Sequence, residues 1–186
     1  MSFAFNLERY KEGPYATIYT FRKEDQAENE LNRFLSNPEV QANPDFGPLM
    51  TRLQDGLRKY GYNPAPREMG WDRWFRSESD DFRETTWYAE ALWAPYPRDR
   101  RDEIGEDEDP PSLRLYCFRL HQLLIAGNGG VKDTQRPEGN LADALDDIRY
   151  VMSRVRWRLE REGTLRVAEE GFLFEGDTHF DNPDQL

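Results

Sequence analysis

Two adjoining stretches decide the fold: LRLYCFRL at Leu113–Leu120, and LLIAGNGGVKDTQRP at Leu123–Pro137. Both are apolar runs rich in β-formers, separated only by His121-Gln122, and together they read as a β-hairpin of the buried kind. His121-Gln122 is not a favoured turn dipeptide, so the turn leaves the register open. The second run ends in Gly127-Asn128-Gly129-Gly130, followed by Val131 and Lys132. A phosphate-binding P-loop would need Gly-Lys-Ser/Thr at its close. Here Val131 precedes Lys132 and Asp133 follows it, so that reading fails. A dinucleotide fingerprint would need glycine where Lys132 stands, early in a βαβ unit, and fails as well. By spacing, the glycines let a buried strand bulge or turn. As the exit of the hairpin, they would clear a cleft faced by Lys132.

Around this hairpin the chain alternates between helical and extended periods. Pro14–Phe21 (PYATIYTF) is short and β-rich and reads as an edge strand or arm. Lys23–Ser36 has helical spacing, with Leu31, Phe34 and Leu35 on its apolar side, and stops at Asn37-Pro38. A second helix follows Asn43-Pro44 and runs to about Tyr60, with Leu49, Met50, Leu53 and Leu57 on one face and Gly61 in place to cap it. The two form an antiparallel pair. PAPREMGWDRWFRSES is irregular, and Thr85–Ala94 is strand-like. Residues 95–111 form an acidic loop, in which six carboxylates crowd Asp102–Asp109 without apolar periodicity. After the hairpin, Leu141, Leu145, Ile148, Met152, Val155 and Leu159 make one helical seam that ends at Gly163. TLRVA and FLFEG are short strands in a C-terminal extension, 164–186, with a polar end. Helices first, then consecutive strands, then a helix, predict a single α+β domain over 1–186 with an antiparallel sheet.

Composition narrows the function classes. The chain has 186 residues and a formal charge of −11, yet only Lys11, Lys23, Lys59 and Lys132 of its 25 basic residues are lysines. An acidic, lysine-poor, arginine-rich surface suits a cytoplasm of high salt, where long-range repulsion is screened within ~3 Å at 1 M. No apolar run is long enough to span a bilayer, and MSFAFNLERYKEG has neither a basic n-region nor an apolar h-region. The expectation is a cytoplasmic protein without membrane association. A lone Cys117 in an apolar run excludes a disulfide or a cysteine-based zinc site and reads as a buried small hydrophobe. His121 and His179 are isolated, and His179 reads as part of a solvated tail. No metal or other cofactor is expected.

The chemistry is concentrated in the hairpin. From Leu113 to Pro137 the basic residues Arg114, Arg119, Lys132 and Arg136 face a single acid, Asp133. Alternation puts Arg114, Tyr116 and Phe118 on one face of their strand. A cation beside an aromatic platform suits a stacked base and its phosphate; it is also what a core aromatic with an ion pair looks like. Arg119 belongs to the opposite face and reads as a salt-bridge residue. On the following helix, Tyr150, Arg154, Trp157 and Arg161 recur off the apolar seam. They form either a partner-binding face or a set of arginines complementing the helix dipole.

LRLYCFRLHQLLIAGNGGVKDTQRPEGNLADALDDI, with WFRSES upstream, resembles the RelE/HigB-like toxins of type II toxin–antitoxin pairs, in a Bacteroidetes-type branch. The likeness spans Leu31 to Gly163 and is tight from Leu113 to Pro137. It implies a RelE-like fold: an N-terminal helix pair on a curved antiparallel sheet, a further helix after the central hairpin, and here a short C-terminal β extension. It also implies a metal-independent mRNA endoribonuclease, often acting on the ribosome, in which the ribose 2′-OH attacks the adjacent phosphate. The partner implied is an antitoxin with a helix-turn-helix domain. Carried over by position, Arg114 holds the scissile phosphate and Lys132 is a phosphate clamp or polarised acid. Arg76 matches the basic residue ahead of the sheet and is expected to contact RNA; Asn128 and Arg136 are added as RNA contacts, and Tyr116 as a stacking platform or hydroxyl donor. The chain departs from the family in its acidity, in Asn128 where many members carry histidine, and in Asp133 where they carry a second lysine. Those departures leave two alternatives: a non-catalytic RelE-fold interaction module and an acidic mimic of nucleic acid.

Overall fold

A computed structural model describes residues 2–62, 75–77, 89–92, 112–132 and 140–183. The elements are β1 (Phe5–Glu12), β2 (Thr17–Lys23), α1 (Glu30–Ser36), α2 (Pro38–Ala42), α3 (Phe46–Asp55), β3 (Phe75–Ser77), β4 (Glu90–Leu92), β5 (Leu113–Leu120), β6 (Leu123–Val131), α4 (Ala142–Trp157), β7 (Leu165–Val167), β8 (Phe174–Gly176) and β9 (His179–Phe180). The fold is mixed α+β, built on a curved, unclosed sheet in the order β3-β4-β5-β6-β2-β1-β9; β7 and β8 form a separate pair.

The expected antiparallel sheet is corrected to a mixed one, because β2 runs parallel to β6, with Thr17 opposite Leu123 and Thr20 opposite Ala126. Parallel neighbours need a long crossover, which α1, α2, α3 and the strands after them supply. The same pairing moves PYATIYTF from an edge to the interior. β2 is held on one side by β6 and on the other by β1. Pairing with Phe5 of β1 keeps Lys23 in the strand, so α1 begins only at Glu30. There the Asn29 side chain accepts a bond from the Asn32 amide (2.9 Å) and caps the helix. β1 was missed by the sequence reading. Its signal was the alternation of Phe5 and Leu7, both buried, before an outer half that is exposed.

The sheet is covered on both faces. α1, α2 and α3 bring Leu31, Phe34, Val40, Leu49 and Leu53 onto the face carrying Ile18, Leu115, Cys117 and Leu124. α4 brings Leu145, Ile148, Val151 and Val155 onto the other, against Tyr19, Phe21, Tyr116, Phe118 and Ile125. Each fully enclosed side chain of this size contributes roughly 1.5–3 kcal/mol by leaving water. The predicted N-terminal helices and the predicted seam of α4 thus serve opposite faces. α3 and α4 both loosen into a wide last turn, Gly56–Tyr60 and Arg158–Glu162. Gly61 (φ 75°) and Gly163 (φ 70°) then end them in conformations that favour glycine.

The C-terminal extension is not a solvated tail. β7 and β8 form where TLRVA and FLFEG predicted strands, and the Phe174 amide donates to the Tyr19 hydroxyl (3.1 Å). β9 then pairs with β1, and His179 lies opposite Asn6 with its Nδ1 3.1 Å from Asn6 Oδ1. Tertiary pairing with β1 therefore overrides the polar local composition around His179. The acidic loop 95–111 falls outside the described residues.

Candidate functional site

The site is built on the hairpin. β5 and β6 pair with Leu113 opposite Val131, Arg114 opposite Gly130, and Leu115 opposite Gly129; the register then shifts, so that Cys117 meets Ala126. One more residue is spent on β6 than on β5, which is a β-bulge at Gly127-Asn128. Of the two sequence options for the glycines, bulge or turn, the bulge holds. The bulge and the two glycines after it lie in the last part of β6, toward the open end of the hairpin, and β6 runs on to Val131. Gly129 is needed for close approach: a Cβ there would lie 1.9 Å from the Arg114 carbonyl oxygen. At the other end, the unfavoured turn is held by its surroundings. His121 takes φ 51°, the Gln122 amide donates to Gly171 O (3.2 Å), and Gln122 O accepts from Thr17 (3.0 Å).

Arg114 lies at the open end of the hairpin on the α4 side of the sheet. It is only 3% exposed, and its Nη1 donates to Leu113 O at 3.0 Å. Lys132 continues the alternation of β6 two residues beyond Gly130. It is half-buried, and its amide donates to Ser112 O at 2.8 Å. A diagonal ladder position of this kind spans roughly 7–8 Å. Arg114 and Lys132 are therefore brought to one end of one face. Asn43 and Asp45, which the sequence reading did not single out, pin that end: Asp45 Oδ2 accepts from the Ser112 amide (3.0 Å), and Asn43 Nδ2 donates to Ser112 Oγ (3.1 Å). The signal for them was their place at the Asn43-Pro44 helix boundary.

The other predicted residues are dispersed. Tyr116 shares the face of Arg114 but is 0% exposed, in the core layer that α4 covers. An enclosed ring presents no face on which a base can stack, and this corrects its role as a platform. Asn128 points to the opposite, α1 side. Its Nδ2 donates to Glu30 Oε2 (2.9 Å) and its Oδ1 accepts from the Gly129 amide (2.8 Å), so it ties the bulge to the helix. Glu30, 1% exposed, is also bridged by Arg33 at 2.8 Å. Arg76 lies in β3 opposite Ala91, which lies opposite Tyr116, one row across the sheet. Arg136 lies outside the described residues. Arg119 does what alternation predicted: its Nε and Nη2 clasp Glu90 at 2.5 and 2.6 Å, and its guanidinium lies 4.1 Å from the centre of the Phe75 ring. Cys117 is enclosed as expected, and burial lifts its thiol well above the usual range.

The α4 stripe divides in the same way. Tyr150 faces inward, its hydroxyl donating to Phe3 O (3.2 Å) and its ring 4.7 Å from that of Phe3. Trp157 is 49% exposed, with the Arg154 guanidinium 5.9 Å from its ring centre, and Arg161 is exposed. Among the described residues no group of three metal-ligating side chains comes together, and no helix is long and apolar enough to cross a membrane. Compared with protein-family models, curated proteins and solved structures, the chain matches none.

Proposed function

We propose that the chain is the toxin of a toxin–antitoxin pair, a RelE/HigB-like mRNA endoribonuclease that uses no metal. The observation that carries this reading is the register that sets Arg114 opposite Gly130, so that alternation puts Lys132, two residues on, at the same end and face of a glycine-bulged hairpin. Attack by a ribose 2′-OH on the adjacent phosphate builds negative charge on phosphoryl oxygens and on the leaving oxygen, and two cations on one face suit both. Arg114 is assigned to the scissile phosphate, for which its planar fork is fitted. Lys132 is assigned to the developing charge. Tyr116 and Asn128 support the hairpin rather than the substrate. The antitoxin is expected to carry a helix-turn-helix domain, and a short reading frame of that kind beside this one would support the pairing.

A second reading, a non-catalytic RelE-fold interaction module, draws on the 3% exposure of Arg114 and the enclosure of Tyr116. One experiment separates the two. The full chain is induced in a suitable host, with growth and mRNA ends followed together. Growth arrest with cleaved mRNA, both lost in Arg114→Ala/Lys132→Ala while the purified variant still melts cooperatively, supports the nuclease. Induction without arrest or cleavage replaces it with the interaction module.

A further inference from the structure

We propose that the C-terminal end of α4 is a docking site for an acidic segment of a partner protein, centred on Trp157. Two arginines flank this half-exposed indole at helical spacing, Arg154 three residues before it and Arg161 four after. Among the described residues of this chain of net charge −11, neighbouring arginines of the same turn, Arg156 and Arg158, each hold a carboxylate. Among the described residues, the carboxylates near Trp157 are committed elsewhere. Glu160 pairs with Arg156 (3.0 Å), Glu162 with Arg158 (3.0 Å), and the Asp181 carboxylate lies 3.0 Å from His179 Nε2. Arg154 bonds only a backbone oxygen, Asp181 O at 3.3 Å, and its Nε is buried with no hydrogen-bond partner. Neither Arg154 nor Arg161 forms an ion pair among the described residues.

An exposed tryptophan between two arginines that lack acids is the composition of an interface hot spot. The interleaved acids select the occupant. A polyphosphate backbone laid across this turn would meet Glu160, Glu162 and Asp181 within the same patch. A peptide can instead place single carboxylates at Arg154 and Arg161 and an apolar side chain on Trp157. The site is also remote from Arg114 and Lys132. Leu141 packs near Gly130 at the start of α4, and Trp157 lies roughly 20 Å further along the axis. Docking here therefore does not depend on the hairpin cleaving RNA.

The test pans a random-peptide phage library on the immobilised full chain, then titrates the selected peptides and a labelled single-stranded RNA against wild type, Trp157→Ala and Arg154→Glu/Arg161→Glu. The expected result is selection of peptides with Asp or Glu on both sides of an aromatic or aliphatic residue. Their affinity should fall roughly tenfold or more in each variant, with RNA binding unchanged. Conservative Arg154→Lys/Arg161→Lys should retain part of it. Selected peptides without acids, or peptides insensitive to the variants, would overturn the proposal. So would RNA binding that depends on these residues while peptide binding does not, which would assign the surface to nucleic acid.

Discussion

Arg119 and Glu90 form a two-pronged ion pair between β5 and β4, with bonds of 2.5 and 2.6 Å and side chains only 10% and 6% exposed. Removing one partner of such a pair strands the other charge in a dry site. Glu90→Gln is expected to destabilise the fold by about 3 kcal/mol, read as a lower urea midpoint with an unchanged slope. Glu90→Gln/Arg119→Met should recover part of that loss. A single variant as stable as wild type would show that the pair adds nothing.

Phe180 stacks on Phe5, with ring centres 4.4 Å apart and planes within 6°, and Arg158 lies over its other side at 3.9 Å. Phe180→Ala is expected to cost about 3–5 kcal/mol and to release the C-terminal strand. Hydrogen exchange should then report faster opening of Phe5–Leu7, the only part of β1 whose outer edge β9 and Thr178 cover. Unchanged protection at those amides would refute the role given to β9.

Gly129 and Gly163 give opposite forecasts for one substitution. At Gly129 a Cβ meets backbone, the Arg114 carbonyl oxygen, so Gly129→Ala should cost about 3 kcal/mol through displacement of the hairpin. At Gly163 nothing lies within 4 Å, and only the left-handed backbone (φ 70°) opposes a side chain. Gly163→Ala should cost about 1 kcal/mol. Thermal melts of the two variants side by side decide the order.

Cys117, the single cysteine, reports on opening of the core. Its thiol is held well above its ordinary pKa by burial first, with Glu90 adding to the effect and Arg119 opposing it. Native protein should resist thiol reagents at mildly alkaline pH and react at once in denaturant. The folded state keeps a proton that the unfolded chain releases. Stability should therefore fall as pH rises past the ordinary thiol range, and Cys117→Ala should flatten that slope. Fast labelling of the native chain would contradict the burial.

Charge composition makes the last forecast. With −11 formal charge on a lysine-poor surface, the melting temperature should climb as salt is raised from low to molar concentration. A flat response would remove the high-salt reading.

Local periodicity was enough to read the β5–β6 hairpin, the seam of α4 and the short strands β7 and β8. Each depends on a side-chain pattern within one segment. Alternation also assigned Arg119 to an ion pair and Arg114 to the other face, since strand period alone separates the two. The roles of Tyr116 and Asn128 could not be read this way. Whether a strand residue meets a cleft, a core or a helix is decided by what packs on the sheet, and here α4 encloses Tyr116 while α1 presents Glu30 to Asn128.

Local patterns along the chain specify the α+β class, the hairpin with Arg114 and the Lys132 that follows it, and an acidic chain with one buried thiol. Long-range pairing and packing place β2 inside the sheet and parallel to β6, extend the sheet with β1 and β9, and cover both faces with helices. Strand order depends on backbone hydrogen bonds between segments as far apart as Thr20 and Ala126, and no local pattern encodes which distant edge a strand will meet.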